Sequence, residues 1–178
     1  PYSDVKAAVT MDLNAFDERN PGVMDANMMA SIGKSDVMLF CQTMPKAFIN
    51  RYPNWPLTID GDVSGNMKRM DVERFSVSLP TAFTIDADGY AENVTDMKSL
   101  LANLDVSAKT YDLGFAAALA GMDEKSAVRI PAGITLDGNL NADGMRCTAD
   151  MIRRQDSGRI ALNGLFGMEA QLYEAVLD

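Results

Sequence analysis

A chain of 178 residues that is 47% hydrophobic has the material for one sizeable apolar interior, or for a slice of a larger array, and is not a disordered tail. Its 16 Lys and Arg are scattered against 25 Asp and Glu, a formal net charge of −9 that argues against a nucleic-acid surface built on clustered cations. With no His, Ser-His-Asp and Cys-His catalysis, His-ligated metals and the usual neutral-pH proton shuttle fall away, so the chain reads as a non-enzyme needing no cofactor.

In chain order, Ala7, Val9, Met11, Leu13 and Ala15 alternate with polar or small residues, the period-two signature of a half-buried strand. A turn at Asn20-Pro21-Gly22 leads to a second alternation, Met24, Ala26, Met28, Ala30 and Ile32. Val37, Leu39 and Cys41, with Met38 and Phe40 between them, read as a strand covered on both faces. The period then changes: Thr43 as cap, Pro45 in the first turn and Pro53 beyond the end predict a short helix over 44–51.

Leu57, Ile59, Val63 and Met67 restore the strand pattern. From Met70 to Leu79 the apolar phase slips between Val72 and Phe75, which a β-bulge near Glu73-Arg74 repairs. Phe83, Ile85 and Ala87 form the next strand, Asp96 to Leu101 one helical turn, and Leu104, Val106 and Ala108 another strand. Asp112, an Ala-rich body and Gly121 predict a second helix over 112–120. Ile134, Leu136 and Leu140 lead through an Asp143-Gly144 turn to Met145, Cys147, Ala149 and Met151. Ile160 and Leu162 follow, and a strand over 170–177 closes the series.

The chain repeats itself. Leu57-Thr58-Ile59-Asp60-Gly61-Asp62-Val63-Ser64 matches Ile134-Thr135-Leu136-Asp137-Gly138-Asn139-Leu140-Asn141, and Ile85-Asp86-Ala87-Asp88-Gly89 matches Ile160-Ala161-Leu162-Asn163-Gly164. Copies over about 35–93 and 104–167, after a partial copy over 1–34, make the chain one segment of an array whose units stack in one dimension. The opening Pro1-Tyr2-Ser3-Asp4 has no initiator Met or signal-type run and reads as interior to a longer protein.

Nine or ten strands make a sheet roughly 45 Å long, whose apolar face two eight-residue helices of about 12 Å cannot cover. The face must curl into a closed core, pair with another chain, or hold an apolar ligand. Its expected lining is Val9, Met11, Leu13, Met24, Met28, Ile32, Ile59, Val63, Val77, Phe83, Ile85, Leu104, Val106, Ile134, Leu136, Leu140, Ile160 and Leu162. Thirteen Met residues suit an adaptable surface, and equally core filling.

Other motifs carry little. Asp86-Ala87-Asp88-Gly89 lacks the twelfth-position acid of a calcium loop, and Asn139 to Asp150 lies on strands entering a hairpin. Exposed carboxylates two apart, as at Asp60 and Asp62, lack the burial that raises one pKa for glycoside chemistry. Cys41 and Cys147 form no CxxC, and their pairing is open. No run approaches the 18 or so apolar residues of a membrane span.

The succession of helix, Tyr52-Pro53-Asn54-Trp55-Pro56, the Gly-punctuated strand Leu57 to Met67, the strands at Met70 to Val77, and Ile85 to Gly89 resembles the TamB branch of the AsmA-like proteins, in the style of its Bacteroidetes members. The second copy departs from that pattern, with Ala142 in place of the second Gly. The resemblance implies a mainly β fold, an elongated, curved antiparallel sheet forming an open, taco-like trough built from repeats with two short helices. It implies a periplasmic segment of a Gram-negative protein anchored in the inner membrane. Such a protein would conduct phospholipid or another acyl lipid toward the outer membrane and aid outer-membrane assembly with a BamA- or TamA-type barrel, through a part of the parent not identified here. The alternative from the residues alone is an adhesin-like extracellular β-array with a closed core and no ligand.

Overall fold

A computed structural model describes residues 3–17, 19–40, 44–118, 132–155, 158–165 and 173–177. Ten strands follow one another in a single antiparallel meander in chain order, so that each strand hydrogen-bonds its sequence neighbours and β1 never meets β10. They are β1 (Asp4–Met11), β2 (Met24–Ile32), β3 (Leu57–Asn66), β4 (Arg69–Leu79), β5 (Phe83–Glu92), β6 (Leu101–Thr110), β7 (Thr135–Asp143), β8 (Arg146–Arg153), β9 (Arg159–Leu165) and β10 (Tyr173–Leu177). The sheet is open and uncurled. Among the described residues no helix is long and apolar enough to cross a membrane.

The bulge anticipated at Glu73-Arg74 is present. Asp62 pairs with Arg74 while the next residue, Val63, pairs with Val72, leaving Glu73 as the extra residue that returns Met70 and Val72 to the phase of Phe75 and Val77. Glycines on the apolar side permit strands to approach where a side chain would collide. Gly65 and Gly89 have φ of 134° and 143°, and a Cβ there would lie 2.3 Å from the Arg69 carbonyl oxygen and 2.2 Å from that of Asn103.

Among the described residues two connections bear helices, and both leave the same end of the sheet. The β2–β3 connection carries α1 (Lys34–Phe40) and α2 (Lys46–Arg51); the β6–β7 connection, four strands on, carries α3 (Gly114–Ala117). Sequence reading anticipated α2 and α3 but made Val37 to Cys41 a strand. The Asp36 and Val37 amides instead donate to the Gly33 carbonyl, starting a helix, and Cys41 lies outside the described residues. A short run apolar at every position has no period, so neither template is favoured by sequence. The expected helical turn at Asp96–Leu101 is a chain of turns bonded Asn93–Asp96–Ser99, after which Leu101 already belongs to β6.

Among the described residues the helices create a compact core. Phe48 and Tyr52 of the α2 region and Phe115 of α3 meet with ring centroids 5.3–5.7 Å apart, packed with Leu79 at the end of β4 and Ala82 of the β4–β5 turn. Leu57 and Phe83 from the strand ends, Val37 and Met38 from α1, and Leu113 and Ala116 pack around them. Asp112, expected as the cap of this helix, lies one residue ahead of the N-cap, which is Leu113; its Oδ1 accepts the Gly114 amide. The caps proposed at Thr43 and Gly121 lie outside the described residues.

Candidate functional site

Residues opposite one another in an antiparallel ladder share a face, so the register sorts every strand residue to one side or the other. Met11 faces Met24, Ala26 faces Val63, Ala30 faces Ile59, Ile59 faces Val77, and Val77 faces Ile85. Continuing, Ala87 faces Val106, Leu104 faces Leu140, Ala108 faces Leu136, Ala149 faces Leu162, and Met151 faces Ile160. Val9, Met28, Ile32 and Phe83 fall in the same rows.

Two members of the expected lining set lie off the strands. Ile134 immediately precedes β7, where its carbonyl accepts the Thr110 amide at 2.8 Å. The alternation predicts that Leu13 continues the first strand, but β1 stops at Met11. The Val23 amide donates to Asp12 Oδ2, and the Asn14 carbonyl accepts the Asp17 and Gly22 amides, so a turn replaces the strand and Leu13 projects fully into solvent.

The register adds residues the sequence set omitted. Met70, Val72 and Phe75 join this face once the bulge restores their phase, with Phe75 between Gly61 and Ala87. Arg153, opposite Leu136, is the one charged residue at the described strand positions of this side. Continuing the alternation Met145, Cys147, Ala149, Met151 by one step reaches it. Cys147 lies on the same side as a free thiol.

Cover over this face is uneven. Leu79 is 1% exposed beneath the helices, whereas Val9 is 54% and Phe75 36% exposed farther along the sheet.

The opposite face is a network of short polar side chains. Arg74 binds Asp60 at 2.8 Å and Asp62 at 2.7 Å, and Asn27 donates to the same Asp62. Asn103 reaches Asn141 at 2.6 Å, Ser107 donates to Asp137, and Arg154 pairs with Asp137 at 2.7 Å. Arg159 holds Asp150 through both carboxylate oxygens. The Asn27 amide and then the Arg74 guanidinium hold Asp62 below its usual carboxylate value; Ser107 and then Arg154 do the same for Asp137, and Arg159 for Asp150. These carboxylates are structural acceptors with depressed pKa values, the reverse of what a general acid requires.

Both described hollows open on this polar side. The larger, about 580 Å³, is lined by Asp86, Asp88, Asp105, Asp137 and Asp150 with Ser107 and Asn139. Among the described residues no group of three or more Cys, Asp or Glu side chains is placed to hold a metal ion. Arg154 and Arg159 match Asp137 and Asp150, and Asn139 donates to Asp105, while Asp88 stands directly opposite Asp105 with both exposed to solvent.

Comparisons with protein-family models, with curated proteins and with solved structures found no match for this chain.

Proposed function

We propose that this chain is a lipid-holding segment of a periplasmic bridge, lodging acyl chains along the apolar face of its sheet between inner and outer membranes. The observation that carries the reading is a sheet face whose described strand positions are apolar in every row with Arg153 as the one charge, and whose described helices lie over one end. At about 4.8 Å per strand and 3.3 Å per residue that face has a footprint on the order of 1,200 Å², on which Val5, Val9, Met11, Met28 and Phe75 are the large apolar side chains exposed among the described residues. Each CH₂ of a bound acyl chain removed from water contributes about 0.8 kcal/mol, so such a face suits a long hydrocarbon without any specific polar contact.

The resemblance to TamB and the AsmA-like proteins supplies the rest of the proposal: phospholipid as cargo, a parent protein anchored in the inner membrane, and a BamA- or TamA-type barrel as outer-membrane partner. Purification from a Gram-negative host, followed by organic extraction and lipid mass spectrometry, tests it. Phospholipid retained in stoichiometric amount supports the reading. A lipid-free protein that also fails to take up a fluorescent phospholipid from vesicles contradicts it and favours the closed, ligand-free array.

A further inference from the structure

The two repeats differ in what they place on the apolar face near its helical end. Ile59 of β3 pairs with Val77, and Leu136, which holds the place of Ile59 in the second repeat, pairs with Arg153. An arginine therefore stands where the first repeat has a valine, in a row that otherwise runs Ile59, Val77, Ile85, Ala108 and Leu136. The hairpin beyond it differs too. Past Val77, β4 and β5 continue to the Leu79–Phe83 pair, and Leu79, Ala82 and Phe83 belong to the core beneath the helices. In the second repeat the ladder ends at Ile152–Arg159, and the Arg153 amide donates to the Gly158 carbonyl at 2.7 Å. The stretch Arg154-Gln155-Asp156-Ser157-Gly158 contains no apolar counterpart of Leu79.

Arg153 is half-buried at this position. A cation set among apolar rows carries a desolvation cost that an anionic partner offsets, and the five N–H donors of a guanidinium exceed what one protein neighbour takes up. Next to Leu136 on the same face of β7, Gly138 faces Met151 and carries no side chain, and Leu140, opposite Leu104, continues the apolar surface away from the helices. We propose that Arg153 anchors the headgroup of a bound phospholipid, its guanidinium holding the phosphate while the acyl chains lie over Gly138, Leu140 and Leu104. The planar fork of arginine matches two phosphate oxygens at once, which a lysine in its place does not. This inference rests on the lipid-holding reading above and adds to it a polar contact that selects for phosphate.

The test compares uptake from vesicles of two fluorescent lipids with identical acyl chains, a phosphatidylglycerol and a diacylglycerol. It uses the parent, Arg153→Gln, Arg153→Lys and, as a control on the polar face where Arg154 pairs with Asp137, Arg154→Gln. The parent should favour the phospholipid roughly tenfold, the factor expected of a hydrogen bond to a charged group. Arg153→Gln should lose that preference while its diacylglycerol uptake, which reports an intact face, stays at the parent level. Arg153→Lys should keep part of the preference and Arg154→Gln all of it. A preference unchanged by Arg153→Gln, or lost equally in Arg154→Gln, would overturn the anchor and leave the lipid-holding face standing. Uptake of neither lipid by the parent would overturn both. Calorimetric titration with inorganic phosphate separates a headgroup from a free anion. Phosphate bound by the parent but not by Arg153→Gln, with both lipids taken up equally, would assign Arg153 to the free anion and overturn the headgroup role.

Discussion

The two ends of one apolar face teach different things about the same kind of residue. At the helical end, Leu79 and Phe115 are 1% and 8% exposed in a core closed by three aromatic rings; toward β1, Val9 on the same face is 54% exposed. Both regions are built from period-two strands, so pattern alone does not separate them. What separates them is the pair of helix-bearing connections, four strands apart, which reach over the β4–β5 turn and meet each other. The closed end is where the helices pack on the sheet, and among the described residues the stretch toward β1 has no such cover.

That contrast is broken most forcefully at the closed end. Phe48→Ala or Phe115→Ala removes a ring from the aromatic cluster and should cost about 3–5 kcal/mol, read as a lower midpoint in urea unfolding with little change in slope. Val9→Asp, at the open end, should stay within about 0.5 kcal/mol of the parent. Equal losses would mean that the open stretch is covered after all.

Gly89→Ala probes the face between these extremes. Its φ of 143° and the 2.2 Å approach to the Asn103 carbonyl predict a loss of about 1–3 kcal/mol from strain, although no contact is removed. The same urea titration measures it.

The polar side should respond least. Arg74→Ala deletes exposed ion pairs with Asp60 and Asp62, for the smallest stability loss of the series, and lets the Asp62 pKa, followed by carboxyl-carbon NMR, rise toward its usual value. Asp62, Asp137 and Asp150 have folded-state pKa values below the ordinary 3.8. Between the unfolded and folded values the unfolded chain binds more protons, so this stabilisation is full above about pH 4 and fades as the pH falls through the depressed range. An acid titration followed by circular dichroism should show a small loss beginning below pH 4 and none between pH 5 and 8.

Much of this arrangement was legible from residue order. The alternation at Leu57–Val63 and Ile134–Leu140 identifies strands and their inward sides, and the phase slip between Val72 and Phe75 located the bulge that the register contains. Three features were not legible, for physical reasons. Val37 to Phe40 is apolar without a period, so helix and strand templates fit equally. Leu13 kept the alternation going, but Asp12 and Asn14 bond the backbone around a turn, a local competition that hydrophobic period does not register. The aromatic cluster joins Phe48 to Phe115 across two connections, a contact that exists only once four strands have been laid side by side.

The central claim is that the open stretch lodges acyl chains, and it is tested most directly by placing a charge there. The Met28→Asp and Phe75→Arg proteins, at face residues exposed away from the helices, each compared with the parent for thermal midpoint and for photo-cross-linking to a phospholipid with a diazirine in its acyl chain, give the answer. An open face lets the new charge reach water, whereas burying it unpaired in a sealed core costs several kcal/mol, much of the 5–15 kcal/mol or so that holds a domain together. The account predicts strong cross-linking of the parent and its loss in both variants at nearly unchanged midpoint. Unfolding of both variants, with no lipid captured by the parent, would contradict it.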